Sequence, residues 1–200
     1  MKYERLNPKS LYIIAGCNGA GKTTASMTIL PDILTCREFV NADEIARGIS
    51  PFNPTAVAVT AGKVMMKRID ELLIRDETFA IETTLASKVF TKTIKIAQSK
   101  GYTVALLFFW LQSVELAKKR VEARVKSGGH NVKADVIERR YRSGIKNLFE
   151  LYAPMVDTFC IYDNTVYLEQ IAQRVRENKE LNVINKEKYA LLEEYYGNCR

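Results

Sequence analysis

The run Gly16-Cys17-Asn18-Gly19-Ala20-Gly21-Lys22-Thr23 places glycine, lysine and a hydroxyl residue at the spacing G-x-x-x-x-G-K-[ST], a pattern that serves to grip phosphate. Its glycines let the backbone curl so that successive N–H groups point inward, and the positive end of a following helix adds to their attraction for an anion. Lys22 is placed to reach the β- and γ-phosphates of ATP, and Thr23 to set its hydroxyl on a Mg²⁺ ion that bridges two phosphate oxygens. Gly16, Asn18, Gly19, Ala20, Gly21, Lys22, Thr23 and Thr24 are therefore the residues expected to bind a nucleoside triphosphate, ATP in the kinase reading below, with Thr23 the expected metal ligand. A glycine-rich turn that ends in Lys-Thr by chance is the alternative; an apolar strand before the motif and a helix after it argue against that.

Carboxylates follow two later strand candidates. Asp43 comes after Glu38 to Asn41, and in a parallel sheet that brings it to the edge where the phosphate loop lies. A carboxylate there can take the proton of an acceptor hydroxyl as it attacks the γ-phosphate. Its bland use is to cap the helix that contains Ile45 and Ala46. Glu82, followed by Thr83 and Thr84, ends Phe79-Ala80-Ile81-Glu82 at the same edge, where Glu82 and Thr83 can bind acceptor hydroxyls or Glu82 can hold a magnesium-bound water. Basic residues gather on two helices around Ser127-Gly128-Gly129-His130. Arg120 and Arg124 share one helix face, and Arg139, Arg140 and Arg142 lie on the next helix, leaving Tyr141, Ile145 and Leu148 for the core. Arginines on either side of a Gly-Gly hinge can close over a triphosphate and neutralise developing charge. Arg120 and Arg124 are the expected catalytic cations beside Lys22; Arg139, Arg140 and His130 are expected on ATP. Solvated helix arginines and a loop histidine are the plain alternatives.

The elements that must hold these groups alternate. Leu11 to Ala15, Glu38 to Asn41, Phe79 to Glu82, Tyr102 to Leu111 and Thr158 to Tyr162 read as five short apolar strands. Helices are expected over Lys22 to Leu30 (stopped by Pro31), Thr55 to Ile74, Ser87 to Ser99, Val114 to Val125 and Ala134 to Tyr152. In the long helix Val57, Ala61, Val64, Met65, Ile69 and Leu72 form the buried stripe. The alternation predicts a three-layer α/β/α P-loop NTPase fold of the nucleoside-kinase kind, with a five-stranded, mainly parallel sheet and a helical lid. One domain is expected over residues 1–200, with its core at about 10–165 and an extension at about 166–200. In that extension Ile171 to Val175 and Leu181 to Asn185 read as a hairpin before a terminal helix through Tyr189, Leu192 and Tyr196.

Composition sets outer bounds. With 47% apolar residues in 200, the chain can bury one core. Thirty Lys+Arg against 23 Asp+Glu give a formal charge of +7, which favours anionic partners in general. Val104 to Leu111 is the longest apolar run, far below the roughly 20 residues of a membrane span. The amino terminus lacks the apolar core of an export signal, so a cytoplasmic location without membrane contact is expected. Cys17, Cys36, Cys160 and Cys199 lack paired spacing and read as ordinary thiols.

Ile14 to Thr23, Phe39-Val40-Asn41-Ala42-Asp43-Glu44-Ile45-Ala46, Ala80-Ile81-Glu82-Thr83-Thr84-Leu85 and Ser127-Gly128-Gly129-His130 with Arg139-Arg140-Tyr141 together resemble the zeta-toxin-like P-loop kinases over about residues 10–165. The resemblance implies transfer of the γ-phosphate of Mg-ATP to the sugar of UDP-N-acetylglucosamine, with Asp43 in the base position, Glu82 in the substrate position and lid arginines on ATP. It also implies a small helical antitoxin as partner. The lid departs from the family pattern: Gly128-Gly129-His130 stands where those toxins carry an arginine. A metabolite kinase of this kind competes with a nucleic-acid-binding ATPase or polynucleotide kinase, which the net charge would suit. Lys88, Lys92, Lys95 and Lys100 run along one helix, without the repeated alternation of aromatic and basic residues that would stack bases, so nucleic acid is disfavoured. A non-catalytic, nucleotide-dependent interaction module is the third reading.

Overall fold

The computed structural model describes residues 9–129, 131–175 and 180–199; His130, expected on ATP, lies outside the described residues. The backbone alternates as expected through β1 (Ser10–Gly16), α1 (Lys22–Thr28), β2 (Glu38–Val40), α2 (Ala42–Ile49), α3 (Ala58–Ile74), β3 (Phe79–Thr83), α4 (Phe90–Ser99), β4 (Thr103–Trp110), α5 (Val114–Lys126), α6 (Ala134–Asn147), the single turn α7 (Ala153–Met155) and β5 (Thr158–Asp163). It ends in β6 (Glu169–Arg174), β7 (Asn182–Val183) and α8 (Lys186–Gly197). The strands form one sheet in the order β2-β3-β1-β4-β5-β6-β7. The first five are parallel, and β6 and β7 run antiparallel. Helices cover both faces, so the central strands carry apolar residues on each side: Leu11, Ile13, Val104, Leu106 and Phe109 are wholly buried. No helix among the described residues is long and apolar enough to cross a membrane.

Four details differ from the sequence expectation. The sheet has seven strands, not five, because the C-terminal hairpin continues it: the adjacent pair Ile171-Ala172 is buried in the otherwise polar β6. The α1 helix does not stop at Pro31. It passes at Ile29 into a π-helical turn, Ile29–Ile33, that carries Pro31 without ending the helix. In α3 the buried stripe is Ala61, Met65, Ile69, Leu72 and Leu73, while Val64 faces outward. The helix expected to run unbroken from Ala134 to Tyr152 becomes π-helical at Leu148–Tyr152.

A seam fixes α6 to the exit of β3. There Leu85 takes a left-handed backbone (φ 55) although fully buried, a conformation that is costly for a branched residue. The Thr83 hydroxyl accepts the Leu85 N–H at 3.1 Å, and the Leu85 carbonyl accepts from Asn147 Nδ2 at 2.6 Å. The Tyr152 hydroxyl donates to the Ser87 carbonyl at 2.6 Å. Gly144 lets the helix come this close: a Cβ on it would lie 2.6 Å from the Thr84 carbonyl oxygen. Gly144→Ala ordinarily gains roughly 0.5–1 kcal/mol of helix propensity. Here the clash reverses the sign, and urea unfolding is expected to register a loss of about 1–3 kcal/mol; a stabilised variant would show that the seam is loose.

Candidate functional site

The phosphate loop follows β1 directly. Gly16 must be glycine because a Cβ would stand 2.1 Å from the Phe109 carbonyl oxygen of the neighbouring strand, and Gly21 enters α1 with φ 80. The loop closes through Ala20 N–H donating to the Cys17 carbonyl at 3.2 Å. Asn164 Nδ2 donates to the Ala20 carbonyl at 2.8 Å, a contact the sequence did not announce. The Cys17 thiol is buried; that burial pushes it up to about 11 against the pull of Lys22 and Arg120, so it stays protonated and unreactive. All four cysteines are free thiols.

Glu82 emerges where β3 leaves the buried run Phe79–Ile81 and gathers three other segments. Its Oε2 accepts from the Thr23 hydroxyl at 2.8 Å and from Asn41 Nδ2 at 3.0 Å. Its Oε1 lies 3.7 Å from Lys22 Nζ, which also donates to the Cys17 carbonyl at 2.9 Å. The Lys22 and Glu82 side chains are 7% and 10% exposed, so the pair is only lightly screened. An ammonium and a hydroxyl are thus held beside the glycine loop in a cavity of about 470 Å³ lined by Asn18, Lys22, Thr23, Asp43, Glu82 and Arg120. Polar donors converging on a concave, curled backbone suit a triphosphate, and the Thr23 hydroxyl beside a carboxylate suits Mg²⁺ with its water ligands. Thr24 also lines this cavity.

Asn41 was not singled out by its residue type, yet it works at both ends. Its Oδ1 caps α2 by accepting from Asp43 N–H at 2.8 Å and Glu44 N–H at 3.4 Å, while its Nδ2 binds Glu82. Capping therefore belongs to Asn41, not to Asp43. Asp43 lies exposed in the first turn of α2. It borders the phosphate cavity, a smaller one of about 170 Å³ with Thr83 and Arg140, and one of about 590 Å³ between α2 and α6. Thr83 lines the small cavity, and its hydroxyl accepts the Leu85 N–H.

The arginines divide. Arg120 and Arg124 line the phosphate cavity, and Arg120 Nη2 donates to the Thr165 carbonyl at 2.8 Å. Arg140 Nη1 reaches Asn18 Oδ1 at 3.3 Å. Arg139 instead faces the cavity between α2 and α6, and Arg142 pairs with Glu138 at 3.2 Å. Gly128-Gly129 does not form an open hinge. It ends α5: Gly128 N–H donates to the Val125 carbonyl and Gly129 N–H to the Arg124 carbonyl, both at 2.9 Å, with Gly128 at φ 81, the Schellman closure of a helix. Ser127, Gly128 and Gly129 thereby stand at the mouth of the phosphate cavity.

Comparison with known proteins agrees with this geometry. The zeta toxin family model matches residues 2–178. An uncharacterized protein of Haemophilus influenzae is 31% identical over 126 residues, 63% of this chain and 88% of that protein. Among solved structures, the AvrRxo1-ORF1:ORF2 complex with ATP superposes with a TM-score of 0.76 at 14% identity over 94% of this chain. This chain spans only 64% of the length of that neighbour. The PezAT chromosomal toxin–antitoxin system of Streptococcus pneumoniae gives a TM-score of 0.60 at 18% identity, covering 96% of this chain and 88% of that one. At such identities the two structures speak for the fold.

The convergence on Glu82 predicts the effect of neutralising it. Glu82→Gln leaves Lys22 without a counter-charge and turns one acceptor into a donor, so urea unfolding of the nucleotide-free protein is expected to lose about 1–3 kcal/mol. An unchanged midpoint would mean that the carboxylate does not hold Lys22 and Thr23 together.

Proposed function

This chain belongs to the zeta toxin family, and from that premise we propose that it is a P-loop kinase that moves the γ-phosphate of ATP to a hydroxyl of a small molecule. The observation that carries the reading is the common cavity: the glycine loop with Lys22 and Thr23 forms its floor, and the Asp43 carboxylate borders both it and the cavity between α2 and α6. The loop amides, Lys22 and Arg120 bind the triphosphate, and Thr23 and Glu82 would hold Mg²⁺ directly and through water. When bound there, magnesium would offset the negative charge of the phosphates.

The acceptor enters from the α2–α6 side. Asp43 takes the proton of its hydroxyl; the acceptor oxygen forms the new bond to the γ-phosphorus, and the bond to the β–γ bridging oxygen breaks to release ADP. Arg140, tethered to Asn18, and Arg124 supply fixed positive charge where the negative charge of the transferring group builds up. The family resemblance makes a nucleotide sugar such as UDP-N-acetylglucosamine the first acceptor to try. Arg139 beside Asp43 in the same cavity suits its diphosphate. The AvrRxo1-ORF1:ORF2 complex and the PezAT system support a small antitoxin as protein partner. The polynucleotide-kinase alternative, which the lysines of α4 would serve only with an alternation of aromatic and basic residues that their sequence does not carry, is not favoured.

Asp43→Asn is expected to lower transfer from labelled ATP by about 10²- to 10⁴-fold while leaving ATP affinity unchanged, measured with a metabolite extract from which the labelled product is identified. Retained transfer would reject Asp43 as base. Full ATP binding with no labelled product from any acceptor would reject the kinase reading in favour of a nucleotide-dependent interaction module.

A further inference from the structure

The C-terminal helix reaches the phosphate loop through one side chain. Asp163, at the end of β5, is only 1% exposed. Its Oδ1 accepts from the Thr165 N–H at 2.9 Å and from the Thr165 hydroxyl at 2.5 Å, and its Oδ2 accepts from Gln112 Nε2 at 3.0 Å. A buried carboxylate needs a counter-charge, and among the described residues Lys188 provides it, with Nζ 2.7 Å from Oδ2. Lys188 is itself aimed: its ammonium donates to Glu169 Oε2 at 2.7 Å, Glu169 Oε1 accepts from Asn185 Nδ2 at 2.8 Å, and Asn185 caps α8 by accepting the Lys188 N–H at 3.1 Å. Burial alone would push Asp163 up; hydrogen bonds from Lys188 and Thr165 outweigh it and leave the carboxyl below its ordinary range.

The turn that Asp163 organises delivers two contacts to the nucleotide site. Asn164 donates to the Ala20 carbonyl in the middle of the phosphate loop, and the Thr165 carbonyl accepts from Arg120, both at 2.8 Å. We propose that Lys188 is a positioning residue for ATP: by neutralising Asp163 it keeps the 163–165 turn in the form that fixes the phosphate loop at Ala20 and the Arg120 guanidinium beside it. The inference rests on the ATP-binding reading above and adds to it a residue outside the segment matched by the family, which ends at residue 178. It gives the hairpin and α8 a part in the site.

The test is equilibrium titration of the full chain with a fluorescent ATP analogue and magnesium, below the melting transition of every variant. Lys188→Met is expected to weaken binding by about tenfold or more, the effect of small misplacements in a binding constellation, and Lys188→Arg to restore most of it. Leu192→Ala, which loosens the buried face of α8 without touching the chain of contacts, should lower the melting temperature and leave affinity near wild type. In turnover assays Lys188→Met should raise KM for ATP and leave KM for the acceptor unchanged. Wild-type affinity in Lys188→Met, or an equal loss in Leu192→Ala, would overturn the proposal. Should Lys188→Met not fold, Asn164→Ala carries the test: weakened ATP binding supports the relay, and unchanged binding overturns it. A wild-type chain that fails to bind the analogue would overturn the phosphotransferase reading as well; binding by wild type and Lys188→Met alike overturns this inference alone.

Discussion

One carboxylate at the carboxyl edge of the sheet organises the site. Glu82 holds Lys22, Thr23 and Asn41, and so ties β3 to the start of α1 and to the cap of α2. Each of those groups is a donor, and each would otherwise be poorly satisfied in a half-buried crevice. The Lys22 ammonium is what a triphosphate requires, and the Thr23 oxygen is a ligand of the kind magnesium requires, so Glu82 holds in place the groups that the proposed nucleotide and its metal would use. In the proposed function, entry of ATP would exchange one set of acceptors for another. Preorganised charge of this kind is worth most where water is excluded.

Rigidity extends to the basic elements over the cavity. The seam of Gly144, Asn147 and Tyr152 clamps α6 to the exit of β3. Further along, the Trp110 indole donates to the Tyr141 hydroxyl at 3.1 Å, and that hydroxyl donates to the Leu111 carbonyl at 2.5 Å. Arg140 projects from this clamped helix, and α5 is closed by its Gly-Gly stop. Both helices thus present their arginines to the cavity from ends that hydrogen bonds define.

Much of this was legible in the residues. The phosphate loop announced itself because its spacing is local and each position has one chemical use; the central strands did so because both of their faces are apolar. Asn41 was hidden, since an asparagine before a helix has several ordinary roles and its bond to Glu82 joins positions that are distant in the chain. Asp163, Asn164 and Lys188 were hidden for the same reason: their partners are set by the docking of β6, β7 and α8, elements too short or too polar to read with assurance as part of the sheet. The Gly-Gly pair is ambiguous in the sequence because glycine permits both hinges and helix stops, and the hydrogen bonds to Arg124 and Val125 show its use as a stop.

The most direct measurement is a crystal structure of the protein with magnesium and a non-hydrolysable ATP analogue. The account predicts the phosphates in the cavity of about 470 Å³, gripped by the loop amides, with Lys22 and Thr23 turned from Glu82 toward the nucleotide and its metal. A nucleotide bound elsewhere, or phosphates in the cavity with Lys22 and Thr23 still held by Glu82, would contradict it.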